Sequence, residues 1–284
     1  MKITGKTIQL GVIGDPISHS FSPQIHNFIS AYTDNDISYA PYLVKPENLA
    51  DAIAGIKALN IRGINITAPH KIEVMKYLDK ISPEAEILGS VNTVVNNNGI
   101  LTGYNTDSEG FYLSLERAGI VVCGKNILVM GCGGVVIPAL VRIIKENPKS
   151  ITLLNRTPSK AKVLADKILQ ITGFEVNTDL KTTDFDIIIN TTCAGMEHMI
   201  DVLPWESITE LCGVDFIKPG SVAVDMIYNP AQTKFLKLAQ DKGARILNGL
   251  DMLIYQAVLA YELFADTKLD KDITSHIRKE VFGL

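Results

Sequence analysis

The sequence predicts an α/β protein of two domains with a cleft between them, the second domain being a doubly wound parallel sheet. Apolar runs of strand length alternate with segments of helical period along nearly the whole chain, and this alternation predicts parallel sheets covered by helices. The alternation restarts near residue 107. The length of 284 residues, with 46% hydrophobic and 20% charged residues, is enough for two ordinary soluble domains.

The first domain begins with an apolar run and continues with alternating helices and strands. PQIHNFISAY (23–32) predicts an amphipathic helix because its apolar residues recur on one face. Pro46 suits the first turn of the next helix, PENLADAIAGIKAL. Asn98-Gly99, between two β-like runs, predicts a hairpin. The predicted strands are IQLGVI (8–13), ISYAPYLV (37–44), IRGINIT (61–67) and the arms of the hairpin VNTVVNNNGILTGYN.

The second domain repeats the strand–helix alternation after about Lys125. NILVMG reads as a buried parallel strand, followed by a glycine-rich turn and a helix, and SKAKVLADKIL predicts a further helix. The last long helix, from about Leu250 to Phe264, is apolar on nearly every side, so we expect it to be buried. The remaining predicted strands are SITLLN (150–155), FEVN, DIIINTT and SVAVDMIY.

Composition excludes several classes of protein. The net charge of −4, without any run of Lys and Arg, argues against a nucleic-acid partner. The N-terminus does not read as a signal peptide, and no apolar window is long enough to cross a membrane. The four cysteines are scattered, as are the five histidines, so no metal site is predicted. We therefore expect a cytoplasmic protein with reduced thiols.

VMGCGGVV (129–136) is a glycine-rich turn between a strand and a helix. Gly131, Gly133 and Gly134 would let the backbone approach the pyrophosphate of a dinucleotide, and the helix N-terminus would supply N–H groups. Val136 occupies the last position of the usual fingerprint, so a tight structural turn is the alternative. The first interpretation makes this a Rossmann-type dinucleotide-binding domain.

The end of the next strand indicates which dinucleotide would bind. NAD-binding domains usually place an Asp or Glu there, whereas this chain has Asn155, Arg156 and Thr157. A guanidinium flanked by amide and hydroxyl groups suits a ribose 2′-phosphate. The sequence therefore favours NADP(H), and a solvent-exposed arginine without a ligand is the alternative.

Polar side chains follow several predicted strands, where α/β proteins build ligand sites. They lie in PISHSFSP, NITAPHK, SVNTV, GYNTD and NGLDMLIYQA. Ser22 and Asp107 could each simply cap a helix. Taken together, hydroxyl and amide groups would recognise a small polyhydroxylated ligand. Lys71 could then donate a proton to a reacting oxygen, with Asp107 orienting it.

Nine motifs occur in the order and at the spacing of the shikimate dehydrogenase family, which the chain resembles over nearly its whole length. They are PISHSFSPQIHN, NITAPHK, GSVNTV, GYNTD, GCGG, NRT, NTTCAGM, DMIYNPAQTKFL and GLDMLIYQA. The resemblance implies an oxidoreductase that reversibly reduces 3-dehydroshikimate to shikimate with NADPH, in aromatic amino-acid biosynthesis. It also implies that residues 1–106 and 249–284 form the substrate domain, and residues 107–248 the Rossmann domain.

The resemblance further implies roles for individual residues. Lys71 and Asp107 would be the catalytic pair. The substrate would contact Ser20 and Ser22 through its carboxylate, and the remaining contacts would be Asn65, Thr67, Asn92, Asp107, Tyr228 and Gln256. The cofactor would contact Gly131, Gly133, Gly134, Asn155, Arg156, Thr157, Thr191, Met226 and Gly249. The expected partners are small molecules only, and the expected assembly is a monomer or a homodimer.

Three alternatives remain open. A relative that also accepts quinate could differ by a small change near Ser20 and Thr67. An NAD-dependent relative would tend to have an Asp after the second Rossmann strand, where Asn155-Arg156 stands. A ligand sensor without catalysis would lack Lys71 or Asp107 or carry an added DNA-binding domain, and this chain retains both residues. We expect His19 and His70 to be structural or solvated.

Overall fold

The structure, a computed structural model, describes residues 3–284, so the first two residues of the predicted N-terminal domain lie outside it. The chain divides into two compact units. The first unit contains the residues up to Thr106 together with Ile254–Leu284, and the second contains Asp107–Leu253. Within residues 3–284, no helix is long and apolar enough to cross a membrane.

Strands and helices alternate in both units, and their bounds are as follows. The strands are β1 (Ile8–Gly14), β2 (Ile37–Leu43), β3 (Gly63–Ile66), β4 (Lys80–Ile81), β5 (Thr93–Asn97), β6 (Ile100–Tyr104), β7 (Asn126–Met130), β8 (Ser150–Leu154), β9 (Ile187–Asn190), β10 (Val222–Asp225) and β11 (Arg245–Leu247). The helices are α1 (Ser22–Tyr32), α2 (Leu49–Ala58), α3 (Pro83–Leu88), α4 (Asp107–Arg117), α5 (Val136–Ile144), α6 (Pro158–Thr172), α7 (Lys234–Asp241), α8 (Leu250–Ala265) and α9 (Ile273–Phe282). Short 3-10 turns cover Pro46–Asn48, Glu73–Tyr77, Glu197–Met199 and Thr209–Leu211.

The sheet of the first unit has the strand order β2-β1-β3-β5-β6-β4. β1 pairs in parallel with β2 and β3, whereas β5 runs antiparallel to both β3 and β6. The carboxyl ends of β1, β3 and β6 therefore lie at the same edge of the sheet as the beginning of β5. We call this the polar edge, and define it by Gly14, Thr67, Asn92 and Asn105, which stand at or next to those four strand ends.

The sheet of the second unit has the order β11-β10-β9-β7-β8, and all its paired strands are parallel. The chain leaves β7 for β8 on one side and returns to β9 on the other, so the topological switch point lies beyond the carboxyl ends of β7 and β9. Alternate residues of β7 face opposite sides. Ile127 and Val129 join one hydrophobic cluster, and Leu128 and Met130 join another. Both faces are covered, as expected of a doubly wound parallel sheet.

Most of the predicted elements are confirmed, including the hairpin, whose Asn98 and Gly99 have φ values of 54° and 85°. No residue of α8 is exposed, which confirms the prediction for the last long helix. The predicted strand FEVN is wrong, because only an isolated bridge joins Asn177 to Thr152. Gly173 ends α6 at a φ of 73°, and the chain meets the edge strand β8 at this one point.

Candidate active site

The polar edge of the first unit brings several predicted site residues to one place. Thr67 directly follows β3, and its backbone N–H donates to Ile13 O at 3.0 Å. A Cβ added to Gly14 would lie 2.3 Å from Thr67 Cγ2, so this close approach requires a glycine. The end of β1 and the turn after β3 are therefore held against each other, with Thr67 partly exposed.

A buried hydrogen-bond network fixes Asn92 at this edge. Asn92 Oδ1 accepts from Thr106 N at 2.8 Å and from Thr93 Oγ1 at 2.9 Å. Asn92 Nδ2 donates to Thr106 Oγ1 at 2.9 Å. Thr106 Oγ1 also donates to the carbonyl oxygen of Gln256, at 3.0 Å, which links α8 to the edge. Buried amides must find such partners, because an unsatisfied one costs about 1–3 kcal/mol.

The two predicted carboxylate-binding serines lie at the start of α1. Ser20 is partly exposed, and its Oγ accepts from Ser22 N at 3.3 Å. The alternative in which Ser22 caps the helix is wrong, because Ser22 is the first helical residue and Phe21 stands at the N-cap. The helix begins one residue earlier than expected, since Ile25 N donates to Phe21 O at 3.1 Å. The Ser22 side chain instead lies beside Tyr39.

Lys71 is half-buried in the turn that follows Thr67. The backbone around it is anchored, because Lys71 O accepts from Val91 N at 2.8 Å. The neighbouring His70 is 2% exposed, and its Nε2 donates to Val44 O at 2.7 Å, which confirms a structural role. The local fold thus fixes the position of the lysine backbone at the polar edge.

Asp107 and Tyr228, the other predicted residues around the substrate, belong to the second unit. Asp107 is 6% exposed and is the first residue of α4, so it is not a cap preceding a helix that begins at 108. Its carboxylate lies in the first helical turn, where the helix dipole favours an anion. Tyr228 is partly buried, and this burial raises the pKa of its phenol.

The glycine-rich turn follows β7 at the switch point of the second sheet. Gly131 has a φ of 108°, and a Cβ there would lie 2.7 Å from Thr191 Oγ1, so the fold itself requires this glycine. A Cβ on Gly133 would make an ordinary contact of 3.6 Å, and one on Gly134 would meet nothing within 4 Å. The tight-turn alternative therefore explains Gly131 but not Gly134. α5 begins just beyond, with no side-chain cap and no acidic residue in its first turn. This arrangement fits a pyrophosphate.

Basic and polar side chains surround the end of β8. Asn155 Nδ2 donates to Thr157 O at 3.0 Å, whereas Arg156 is exposed and forms no ion pair with any residue between 3 and 284. A groove of about 360 Å³ is lined by residues of the turn after β7, of α5 and of α6. Its lining residues are Cys132, Ile137, Ser159, Lys160, Val163, Leu164 and Lys167. The sequence analysis missed Lys160 and Lys167, although their spacing of seven on a predicted helix indicated a shared face.

The thiol of Cys132 in this groove is not activated. Burial raises its pKa to about 11, and the opposing effect of Lys160 is smaller. A thiol with a raised pKa is a poor nucleophile, because the thiolate is the reactive form. Cys132 is therefore better explained as a small packing side chain than as a nucleophile. Among residues 3–284, no group of three or more His, Cys, Asp or Glu side chains could hold a metal ion.

Two segments meet at the other side of the switch point. A Cβ on Gly249 would lie 2.3 Å from Met226 O, so the predicted cofactor residues Met226 and Gly249 pack directly together. Beneath them lies Asp225, which is fully buried and which the sequence analysis missed. Its carboxylate accepts from Asn190 Nδ2 at 3.0 Å, Ile227 N at 3.0 Å and Thr233 Oγ1 at 2.7 Å. Burial raises its pKa to about 6 in spite of these bonds.

These features define an α/β protein whose second unit is a Rossmann-type dinucleotide-binding fold. Residues 12–94 match the family model described as the shikimate dehydrogenase substrate binding domain. The chain is 41% identical over 290 residues to a shikimate dehydrogenase (NADP(+)) of Alkaliphilus oremlandii, with 99% of this chain and 98% of the relative covered. It is 43% identical over 279 residues to that of Methanococcus aeolicus, covering 95% and 96%.

A solved structure gives the same result in three dimensions. The crystal structure of a shikimate dehydrogenase in complex with NADP+ is 38% identical and superposes with a TM-score of 0.87, covering 97% of this chain and 96% of the other. Identity of this size over the full length identifies the family. The chain belongs to the shikimate dehydrogenase family of oxidoreductases.

Proposed function

We propose that this protein catalyses the reversible NADPH-dependent reduction of 3-dehydroshikimate to shikimate, a step in aromatic amino-acid biosynthesis. The observation that carries the proposal is the polar edge of the first unit, where hydroxyl, amide and ammonium groups gather. Hydroxyl and amide groups suit a small polyhydroxylated ring, because each can donate or accept a hydrogen bond. Lys71 adds the titratable group that reduction of a carbonyl needs.

The first unit is the substrate unit in this proposal. The hydroxyls of Ser20 and Ser22 bind the substrate carboxylate, while Thr67, Asn92 and Gln256 hold the ring hydroxyls. Asp107 and Tyr228 of the second unit are the remaining residues assigned to the substrate. The chemistry of these side chains supports the assignment, because hydroxyl and amide groups discriminate strongly between ligands with and without a matching hydroxyl.

Lys71 moves the proton of the reaction. When the carbonyl carbon receives a hydride, its oxygen must gain a proton to become a hydroxyl. The Lys71 ammonium donates that proton in reduction, and the neutral amine takes it back in oxidation. Asp107 is the second member of the proposed catalytic pair.

The second unit holds the cofactor, which supplies the hydride when bound. The backbone of Gly131, Gly133 and Gly134 and the N-terminus of α5 hold the pyrophosphate. Arg156 binds the 2′-phosphate, and Lys160 follows four residues later in the first turn of α6. Asn155 and Thr157 flank that phosphate. Thr191, Met226 and Gly249 border the nicotinamide end.

The test measures reduced nicotinamide by its absorbance, with NADP+ or NAD+ as acceptor and shikimate or quinate as donor. We expect activity with shikimate and NADP+. In the same assay, Lys71→Ala should lower kcat by about 10²–10⁴-fold, the usual contribution of a general acid or base. Lys76→Ala is the matched control, because Lys76 is exposed and pairs with Glu73 at 2.8 Å.

Each other outcome contradicts a different part of the proposal. Preference for NAD+ would contradict the assignment of Arg156, and activity on quinate would broaden the substrate class. No activity with any of the four pairs would contradict catalysis and favour the ligand-sensing alternative. Full activity of Lys71→Ala would refute the role of that lysine alone.

A further inference from the structure

The Tyr39 hydroxyl lies between Ser22 and Asn65, two residues that the family resemblance assigns to the substrate, and Tyr39 itself had no predicted role. Tyr39 is 3% exposed and lies on β2. Its hydroxyl donates to Asn65 Oδ1 at 2.8 Å, and the Ser22 side chain lies next to it. The phenol therefore lies between α1 and the end of β3.

The network continues from Asn65 to Asn92. Asn65 Nδ2 donates to Thr93 Oγ1 at 3.0 Å and to the carbonyl oxygen of Asn92 at 3.2 Å. Thr93 Oγ1 donates in turn to Asn92 Oδ1 at 2.9 Å. Both N–H groups of the Asn65 amide are thus used inside the protein, and Asn65 is only 6% exposed. Asn65 therefore has no amide hydrogen left to donate to a ligand. Its hydrogen bonds instead link the position of Tyr39 to that of Asn92, and we call a residue with this role a relay.

The ring of Tyr39 is also held in a single orientation. It stacks on the imidazole of His26, with ring centroids 4.2 Å apart and planes 6° apart. His26 is 1% exposed, and neither of its ring nitrogens has a hydrogen-bond partner among the described residues. Burial lowers its pKa to about 3, so the ring is neutral and serves as a flat packing surface. Burial likewise raises the Tyr39 pKa well above its usual value, so the phenol keeps its proton.

We propose that Tyr39 is a positioning residue for the substrate site, and that Asn65 is a relay between Tyr39 and Asn92. The Tyr39 hydroxyl fixes the Asn65 amide, and Asn65 acts through Thr93 on Asn92. This inference rests on the proposed function and deepens it. It moves Asn65 from the direct substrate contacts to the layer behind them.

Tyr39→Phe tests the inference because it removes one hydroxyl and keeps the ring on His26. We expect KM for shikimate to rise roughly three- to tenfold, which corresponds to the net contribution of about one hydrogen bond. KM for NADP+ should stay unchanged. Tyr261→Phe is the matched control. Tyr261 is also fully buried near His26, at 6.0 Å between ring centroids, but its hydroxyl accepts from Asn35, which has no role in the site.

A double-mutant cycle separates a relay from a direct ligand. If Asn65 is a relay, Tyr39→Phe added to Asn65→Ala should raise KM for shikimate by less than twofold further. The reason is that Asn65→Ala already removes the hydrogen bonds that link Tyr39 to Asn92. If Asn65 contacts the substrate and Tyr39 is merely structural, the two effects should multiply. Multiplicative effects would overturn the relay.

The remaining outcomes are also decisive. An active wild type whose KM for shikimate is unchanged by Tyr39→Phe, or changed equally by Tyr261→Phe, would overturn the inference and leave the proposed function intact. Parallel increases in both KM values would indicate general damage to the fold and would overturn positioning too. A wild type without activity on shikimate would overturn the proposed function itself, and this inference with it.

Discussion

Asp225 shows how a single buried residue can organise a proposed ligand site. It is fully buried, yet it accepts three hydrogen bonds, from the last residue of β9, from the backbone after β10 and from the cap of α7. Thr233 in turn caps α7 by accepting from Leu236 N. The segments that carry Thr191 and Met226 are therefore tied to one carboxyl group. The desolvation penalty outweighs these bonds and raises the Asp225 pKa to about 6.

Asp225→Asn should change the pH dependence of stability. Burial raises the folded-state pKa of Asp225 to about 6, above the ordinary value of an aspartate. The stability that its protonated carboxyl contributes is therefore fully present below about pH 4 and is lost as the pH rises through about 6. Asparagine stays neutral throughout. Relative to wild type, the variant should gain on the order of 3 kcal/mol of unfolding free energy between about pH 4 and pH 7.5. Urea unfolding at both pH values measures this difference.

Asp186→Asn is the control, with the opposite sign. Burial alone would raise the pKa of Asp186, but bonds from Asn126 N and Lys125 bring it below its usual value. Its contribution is therefore present at neutral pH and lost on acidification, so this variant should lose stability relative to wild type as the pH rises. If the unfolding free energy of the two variants, relative to wild type, changed with pH in the same way, the burial argument for Asp225 would be contradicted.

At the scale of elements, the turn between β7 and α5 contains one glycine that the fold requires, Gly131, and one that only a bound ligand would require, Gly134. Gly131→Ala should destabilise the free protein by about 1–3 kcal/mol, because it combines a φ of 108° with a contact of 2.7 Å. Gly134→Ala should leave the melting temperature of the free protein nearly unchanged, because a Cβ there meets nothing within 4 Å. The same variant should weaken NADP+ binding about tenfold or more, as measured by calorimetric titration. Unweakened binding would mean that phosphates do not approach Gly134.

Local signals explain which elements could be predicted. The Asn98-Gly99 hairpin is encoded by two residues that tolerate positive φ, and the buried strands of the second unit by short apolar runs. FEVN has strand-like composition, but a strand also needs a partner, and only one bridge to β8 forms. No property of those four residues could reveal that.

The positions of candidate site residues could be predicted where they belong to a local sequence motif. They could not be predicted where they depend on contacts between distant parts of the chain. Thr67, Lys71 and Asn92 stand beside strand ends, which sequence patterning locates. Tyr39 makes its hydrogen bond to Asn65 across a separation of 26 residues, so nothing inside ISYAPYLV indicates that role. His26 reads as a polar helix position, yet it is 1% exposed and stacks on Tyr39. Burial of this kind depends on tertiary packing, which periodicity does not show.

At the scale of the whole molecule, the chain leaves the first unit once and returns to it. It leaves after Thr106 and returns inside α8, whose residues up to Leu253 belong to the second unit and those from Ile254 to the first. The first unit is thus discontinuous in sequence, and the second is one continuous segment. Under the proposed function, each unit contains most of the contacts to one ligand.

Hydrogen exchange of the full chain tests this division of labour. NADP+ alone should slow exchange most in peptides covering 127–137 and 155–160, because bound phosphates would order the turn after β7 and the loop after β8. Shikimate alone should slow exchange most in 63–71 and 91–106, around the polar edge. NAD+ is the matched control, because without a 2′-phosphate it should protect 127–137 but leave 155–160 close to the free protein. Strongest protection of 63–71 by NADP+ alone would contradict the assignment of the cofactor to the second unit.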